Sequence, residues 1–191
     1  SACLVGSEMC ITDSYDCRIG CAAVIETLHR LQDVELAVDL VGVISSQEEV
    51  GERGMKVAVN HVKPQIAICF EGCPADDTFT DPYAVQTAFK KGPMLRFMDK
   101  SIICTPRFQR YALDLAEKHG LPVQASVREG GGNNGAIVHT ALDGIPTIVI
   151  GVPVRYIHTM SGIASYYDFE ATVQLAVELV KSMTEEIIKG F

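Results

Sequence analysis

Three short apolar runs at residues 40–44, 66–70 and 146–150 are separated by stretches of helical periodicity. Runs of four to eight apolar residues without polar alternation suit strands buried on both faces. Such strands need helices above and below them. The alternation therefore predicts an α/β three-layer sandwich with a mostly parallel sheet. Cys21, Val24, Ile25, Leu28 and Leu31 recur at helical spacing and predict an amphipathic helix. A second helix is expected over about residues 54–61, stopped by Pro64. Residues 94–98, 101–104 and 122–127 read as further strands, and residues 72–92 as a long functional loop. Pro106 opens a helix that ends on Lys118, His119 and Gly120, a basic last turn with a glycine stop. The glycine-rich turn 130–135 leads into a short helix. A final helix carries Val173, Ala176, Val177, Val180, Thr184 and Ile187 on one face. In sheets of this kind, ligands collect at the carboxyl ends of the strands.

The length of 191 residues fits one domain and no internal repeat or linker divides it. With 48% hydrophobic and 21% charged residues, the chain can bury a real core, which excludes a disordered or fibrous protein. A net charge of −8 argues against nucleic acid and anionic membrane surfaces as partners. No apolar run reaches the roughly 18 residues of a membrane span. The seven cysteines are odd in number and irregular in spacing, which predicts a reduced, cytoplasmic protein. Cys17/Cys21 and Cys69/Cys73 form two C-x3-C pairs, but buried free thiols are favoured over a four-cysteine zinc site. The chain opens on strand-like residues without an initiator Met, which predicts that it is part of a longer protein.

Four polar clusters follow apolar runs. They are Tyr15-Asp-Cys-Arg18, Ser45-Ser-Gln-Glu-Glu-Val-Gly51, Glu71-Gly-Cys-Pro-Ala-Asp-Asp77 and Pro153-Val-Arg-Tyr-Ile-His158. Three acidic clusters and one histidine on one sheet edge would suit a divalent metal. Neighbouring residues in extended backbone face opposite ways. Of Glu48 and Glu49, one could thus hold metal while the other accepts a proton from an activated water. Each cluster also has a plainer reading: a solvated acidic loop, a helix N-cap at Asp16, a packed His158.

Together these segments resemble the tetrahedral aminopeptidase family, di-metal glutamyl and deblocking aminopeptidases sometimes labelled endoglucanases. Ser45 to Gly54 is similar to the family signature, Tyr15-Asp-Cys-Arg-Ile-Gly20 to its Leu-Asp-Asp-Arg-Val-Gly segment, and Phe70 to Asp77 to its Glu-Gly-Thr-x-Ala-x-Asp element. Gly92-Pro93 before Asp99, Gly144-Ile-Pro-Thr147, Gly151 and Pro153 to Thr159 resemble the closing motifs, in the family's order. The resemblance implies a di-metal exopeptidase fold of the phosphorylase/hydrolase-like type. It implies a metallo-aminopeptidase that removes N-terminal residues from peptides. Asp16 would bridge two ions, zinc or cobalt. Glu49 and His158 would complete one metal site, and Glu71 would bind the second ion. Glu48 would be the general base.

The resemblance also implies what differs. Cys17 stands where the family has a second Asp, and Asn133-Asn134 where relatives show Thr-Asp. The family's upstream His-x-Asp motif and inserted dimerisation domain have no counterpart, so residues 1–191 are expected to be the later part of a catalytic domain whose complete form is a homo-oligomer. The remaining histidines, His29, His61, His119 and His139, read as structural or surface residues. Two other functions stay open: a catalytically incomplete piece with a binding or assembly role, and a di-metal N-acyl amino acid deacylase.

Overall fold

The computed structural model describes residues 9–12 and 15–191. The expected strand-like opening lies outside them. The order of elements is β1 (Met9–Thr12), α1 (Tyr15–Leu31), α2 (Arg53–Val62), β2 (Ala67–Pro74), β3 (Met94–Met98), α3 (Pro106–Lys118), β4 (Gln124–Val127), α4 (Gly135–Val138), β5 (Thr147–Arg155), β6 (Gly162–Ser165), α5 (Tyr166–Ser182) and α6 (Glu185–Lys189).

Strand β5 organises the sheet. Its Thr-Ile-Val-Ile-Gly-Val-Pro-Val run is buried at every position through Val154. It pairs in parallel with β2 along one edge, from Ala67↔Thr147 to Pro74↔Val154. Its other edge is shared: β3 pairs antiparallel with residues 149–151, and β6 with Val154 and Arg155. β4 adds in parallel outside β3, and β1 antiparallel outside β6. The sheet is mixed, and its two parallel ladders hold most of the paired residues.

Period-two alternation then sorts the side chains into two cores. Ile68, Phe70, Ile148 and Ile150 face α1, α3 and α5, where they meet Phe108, Leu115, Leu175, Leu179 and Val177. Ala67, Cys69 and Val149 face the opposite layer, with Val59 of α2 and Val138 beside it in α4. This is the three-layer α/β sandwich that the sequence implies.

Four local expectations change. Residues 40–44 form no strand; Val41 and Ile44 are 57% and 59% exposed. Apolar, β-branched residues become a strand only where a neighbouring strand accepts their hydrogen bonds, and none among the described residues does. Residues 101–104 contribute only the bridge Met98↔Ile103, because Asp99 captures the N–H groups of Ser101 and Ile102 and bends the chain into a turn. The final helix divides. Met183 is extended, and the Thr184 hydroxyl accepts from the Ile187 N–H to start α6. β5 runs past residue 150 through Pro153. That proline falls between the residues paired by β3 and those paired by β6, so its missing N–H costs no bond on that edge.

Candidate active site

Glu71 lies within β2, opposite Gly151. The start of α1 passes directly over it. Asp16 and Cys17 are not helical in backbone (φ −91°, ψ 110° and φ −115°, ψ 57°), so their side chains leave the helix axis. The Cys17 sulfur accepts the Gly72 N–H at 3.2 Å. A side chain at Gly20 would place its Cβ 2.6 Å from that sulfur, so only glycine leaves it room. Ligand atoms of Asp16, Cys17 and Glu71 all lie within 4.8 Å of one another. From the loop after β5, His158 Nε2 reaches Asp16 Oδ2 at 2.5 Å. Asp16 is therefore the meeting point, with His158 on one side and Cys17 with Glu71 on the other.

Glu48 and Glu49 enter from the turn before α2. The Gly54 N–H donates to the Ser46 carbonyl at 2.9 Å, and a Cβ there would sit 2.3 Å from that oxygen, so the turn closes only around glycine. Glu48 is half-buried and Glu49 exposed. Burial pushes the Glu48 carboxyl up to about 7, helped by the charges of Glu49, Glu52 and Asp16 and opposed by His158. Burial also pushes Glu71 up to about 7; the Cys17 hydrogen bond opposes this, and the charges of Glu48 and Asp16 add to it. The Cys17 thiol is pushed far above its ordinary range by burial and by Glu71. Asp16, Glu48, Glu71 and His158 thus share one electrostatic neighbourhood, while Glu49 lines the same cavity without joining the close cluster.

The donor set fits divalent ions. Burial first, and mutual repulsion second, raise the carboxyls of Glu48 and Glu71, a cost that a bound cation would offset. Carboxylate, imidazole and thiol donors match zinc-type centres. The four-cysteine alternative does not form: Cys17, Cys21, Cys69, Cys73 and Cys104 are free thiols, and the only three-residue ligand group among the described residues is the one at Asp16.

Around this centre lies a cavity of about 840 Å³, bordered by Glu48, Glu71 and Asn134 among others. Asn134 Oδ1 is buried without a hydrogen-bond partner there. Its turn is fixed from below. Asp99 Oδ2 accepts from Arg96 Nη1 and from Asn133 Nδ2, both at 3.0 Å, while Asn133 Oδ1 accepts the Gly135 N–H at 2.8 Å. Arg96 and Asp99 are both buried. Asp99→Ala is expected to destabilise the fold by roughly 3–5 kcal/mol, because it strands the Arg96 charge. Denaturant unfolding checks this; a loss below ~1 kcal/mol would remove the network from the account.

The loop over residues 75–92 is tied down by carboxylates. Asp76 accepts from the Thr87 N–H and from Arg128. Asp77 pairs with Arg155 at 2.7 Å and is held below its ordinary range by it. Asp168 of α5 accepts from the N–H groups of Lys90 and Gly92. The sequence motifs contain Asp76, Asp77 and Arg155, but no local pattern singles out Asp168. His29 and His61 lie on helices α1 and α2, and His119 and His139 cap α3 and α4; none of them is in the ligand group at Asp16.

A family model described as M42 glutamyl aminopeptidase matches residues 2–175. The glutamyl aminopeptidase of Lactococcus lactis subsp. cremoris is 34% identical over 176 residues, covering 92% of this chain and 48% of that protein. The crystal structure of a TET aminopeptidase from the marine sediment archaeon Thaumarchaeota archaeon SCGC AB-539-E09 superposes with a TM-score of 0.92 at 31% identity, over 95% of this chain and 52% of that one. The TET1 peptidase of Pyrococcus horikoshii, which can assemble into a tetrahedron or a large octahedral shell, gives 0.83 at 30% identity, over 95% of this chain and 52% of that one. The chain thus spans about half the length of the relatives it matches.

Proposed function

The chain belongs to the M42 glutamyl aminopeptidase family, and from that premise we propose that the complete protein is a metal-dependent aminopeptidase that removes N-terminal residues from peptides. The observation that carries the reading is Asp16, which stands between His158 at 2.5 Å and the Cys17–Glu71 pair. Asp16 would be shared by two ions, Glu49 and His158 would help to hold one of them, and Glu71 the other. Zinc or cobalt suits these donors.

Bound divalent ions supply Lewis acidity, polarising the scissile carbonyl and making water more acidic. The protein's own part is proton movement and positioning. Glu48 takes the proton of the attacking water and hands it to the leaving amine. A carboxyl poised near 7 can both accept and return a proton at neutral pH. The cavity bordered by Glu48, Glu71 and Asn134 receives the peptide. The free thiols suit a reducing compartment, the cytoplasm. A homo-oligomer is the proposed assembly, by analogy with the shell-forming TET1 peptidase.

The test is a panel of aminoacyl and N-acyl chromogenic substrates, offered to the complete protein after metal removal and again after zinc or cobalt is restored. Metal-dependent release from the free-amino substrates alone is expected. Hydrolysis of the N-acyl set would favour the deacylase, and no hydrolysis of either set would favour a binding or assembly role.

A further inference from the structure

We propose that the carboxylate of Glu52 selects the substrate, by receiving the ammonium or guanidinium group of a peptide that begins with Lys or Arg. The inference rests on the aminopeptidase reading above and adds the substrate class to it.

Glu52 closes the turn that carries Glu48. Its N–H donates to the Glu48 carbonyl at 2.9 Å, so both side chains leave one turn, and its charge is felt by the Glu48 carboxyl. Glu52 holds the N-cap position of α2 but makes no capping hydrogen bond. Its backbone is left-handed (φ 49°, ψ 36°), a conformation that costs free energy in a residue with a Cβ. The side chain is half-buried, and among the described residues no Lys, Arg or His pairs with it.

The carboxylate turns toward the glycine-rich loop instead. A Cβ on Gly132 would lie 3.5 Å from Glu52 Oε1 and 3.4 Å from Ser101 Oγ, so the two oxygens flank one small space that a side chain at 132 would fill. Cβ atoms on Gly130 and Gly131 would meet nothing within 4 Å, so the loop leaves open ground next to that space. Both flanking oxygens are acceptors. The Ser101 hydroxyl already donates to Asp99 Oδ1 at 2.7 Å, which leaves it only lone pairs, and an ionised carboxyl has nothing to donate. On the same loop, Asn134 Oδ1 is a third acceptor without a donor. A group that brings several donors and a positive charge together is a Lys ammonium or an Arg guanidinium. An acidic N-terminal residue would meet the charges of Glu49 and Glu52 and be repelled. The plainer role for Glu52 is a solvated negative charge at the start of α2, where the helix dipole favours it. That role predicts no effect on the choice among substrates.

The complete protein, loaded with zinc or cobalt, is assayed on lysyl, arginyl, leucyl and glutamyl chromogenic substrates. Binding of free L-lysine, L-leucine and L-glutamate is measured by calorimetry. The wild type is expected to favour lysyl and arginyl over leucyl by at least ~10-fold in kcat/KM, the fold-change that one charge-assisted hydrogen bond carries, with glutamyl lowest. Glu52→Gln is expected to erase that ratio, mainly through KM, and Glu52→Lys to place glutamyl above lysyl. The ratio is the readout, because a change of charge near Glu48 alters turnover of every substrate together. Gly132→Ala keeps the carboxylate and fills the space beside it at ordinary contact distances, so it too is expected to lower the lysyl-to-leucyl ratio. An unaltered ratio in Glu52→Gln, or a wild type that prefers leucyl or glutamyl, would overturn the role of Glu52 and leave the aminopeptidase reading standing. Preferential binding of L-lysine without hydrolysis of any aminoacyl substrate would support the role of Glu52 and remove the aminopeptidase reading. Neither hydrolysis nor a preference for L-lysine would overturn both.

Discussion

Glu48→Gln in the complete protein is expected to keep its metal and to lose at least ~10²-fold in turnover, the usual contribution of a general acid–base group. The amide copies the shape of the carboxyl and cannot take a proton from water. Glu48 is the residue for this role because it is near the cluster without belonging to it. It is half-buried, and its carboxyl is pushed up to about 7 by burial and by Glu49, Glu52 and Asp16. Removing one negative charge from that crowd should also relieve repulsion, so a loss of folding is not expected to mimic a loss of catalysis. Steady-state kinetics and metal analysis on the same preparation decide the matter. Near-normal turnover would require another base. Loss of metal would mean that Glu48 is a ligand and Glu49 the proton carrier.

The 191-residue chain produced by itself is expected to self-associate, to bind about one metal ion or fewer, and to release no amino acid from peptides. β2 is hydrogen-bonded to β5 along one edge and to no other strand among the described residues. Beside it are Val41 and Ile44, exposed to 57% and 59%. An open strand edge next to apolar surface is a template for pairing with another chain. Sedimentation should show species heavier than a monomer at micromolar concentration. Joint Val41→Lys and Ile44→Lys substitution should shift them toward the monomer without restoring activity. A monomeric wild-type chain that turns over peptides would refute both the association and the incompleteness.

Much of this architecture is legible from residues alone, for identifiable reasons. Pro106 and Gly120 bracket α3 because one suits a first helical turn and the other adopts a positive φ of 63° just past the end. Residues 66–70 announce β2 because their apolar pattern serves two cores at once. What local pattern could not reveal depends on partners far along the chain. Residues 40–44 look like a strand and are not one, since pairing is not a property of a single segment. Residues 146–150 read as the whole strand, yet it runs on through Pro153, which falls at a gap between two neighbouring strands. At the site, Asp16, Glu48, Glu71 and His158 share one neighbourhood, while Glu49, expected among the converging ligands, is exposed and stands outside the close cluster. Cys17 reads as a buried thiol because nothing in its spacing tells that its sulfur turns toward Glu71 and not into the core. Asp168 is invisible for a similar reason: it supports a loop some 76 residues earlier.

The position of β5 also bears on how the protein is made. Its ladder joins Ala67 to Thr147, and β1 near the start waits for β6 at residues 162–165. At roughly 5–20 residues per second, a ribosome takes roughly 4–16 s to travel from β2 to β5. Throughout that interval β2 is without β5, the one strand that pairs with it among the described residues. The nascent chain is therefore a natural client for holding chaperones, and slow codons between β2 and β5 would lengthen its exposure rather than help it fold.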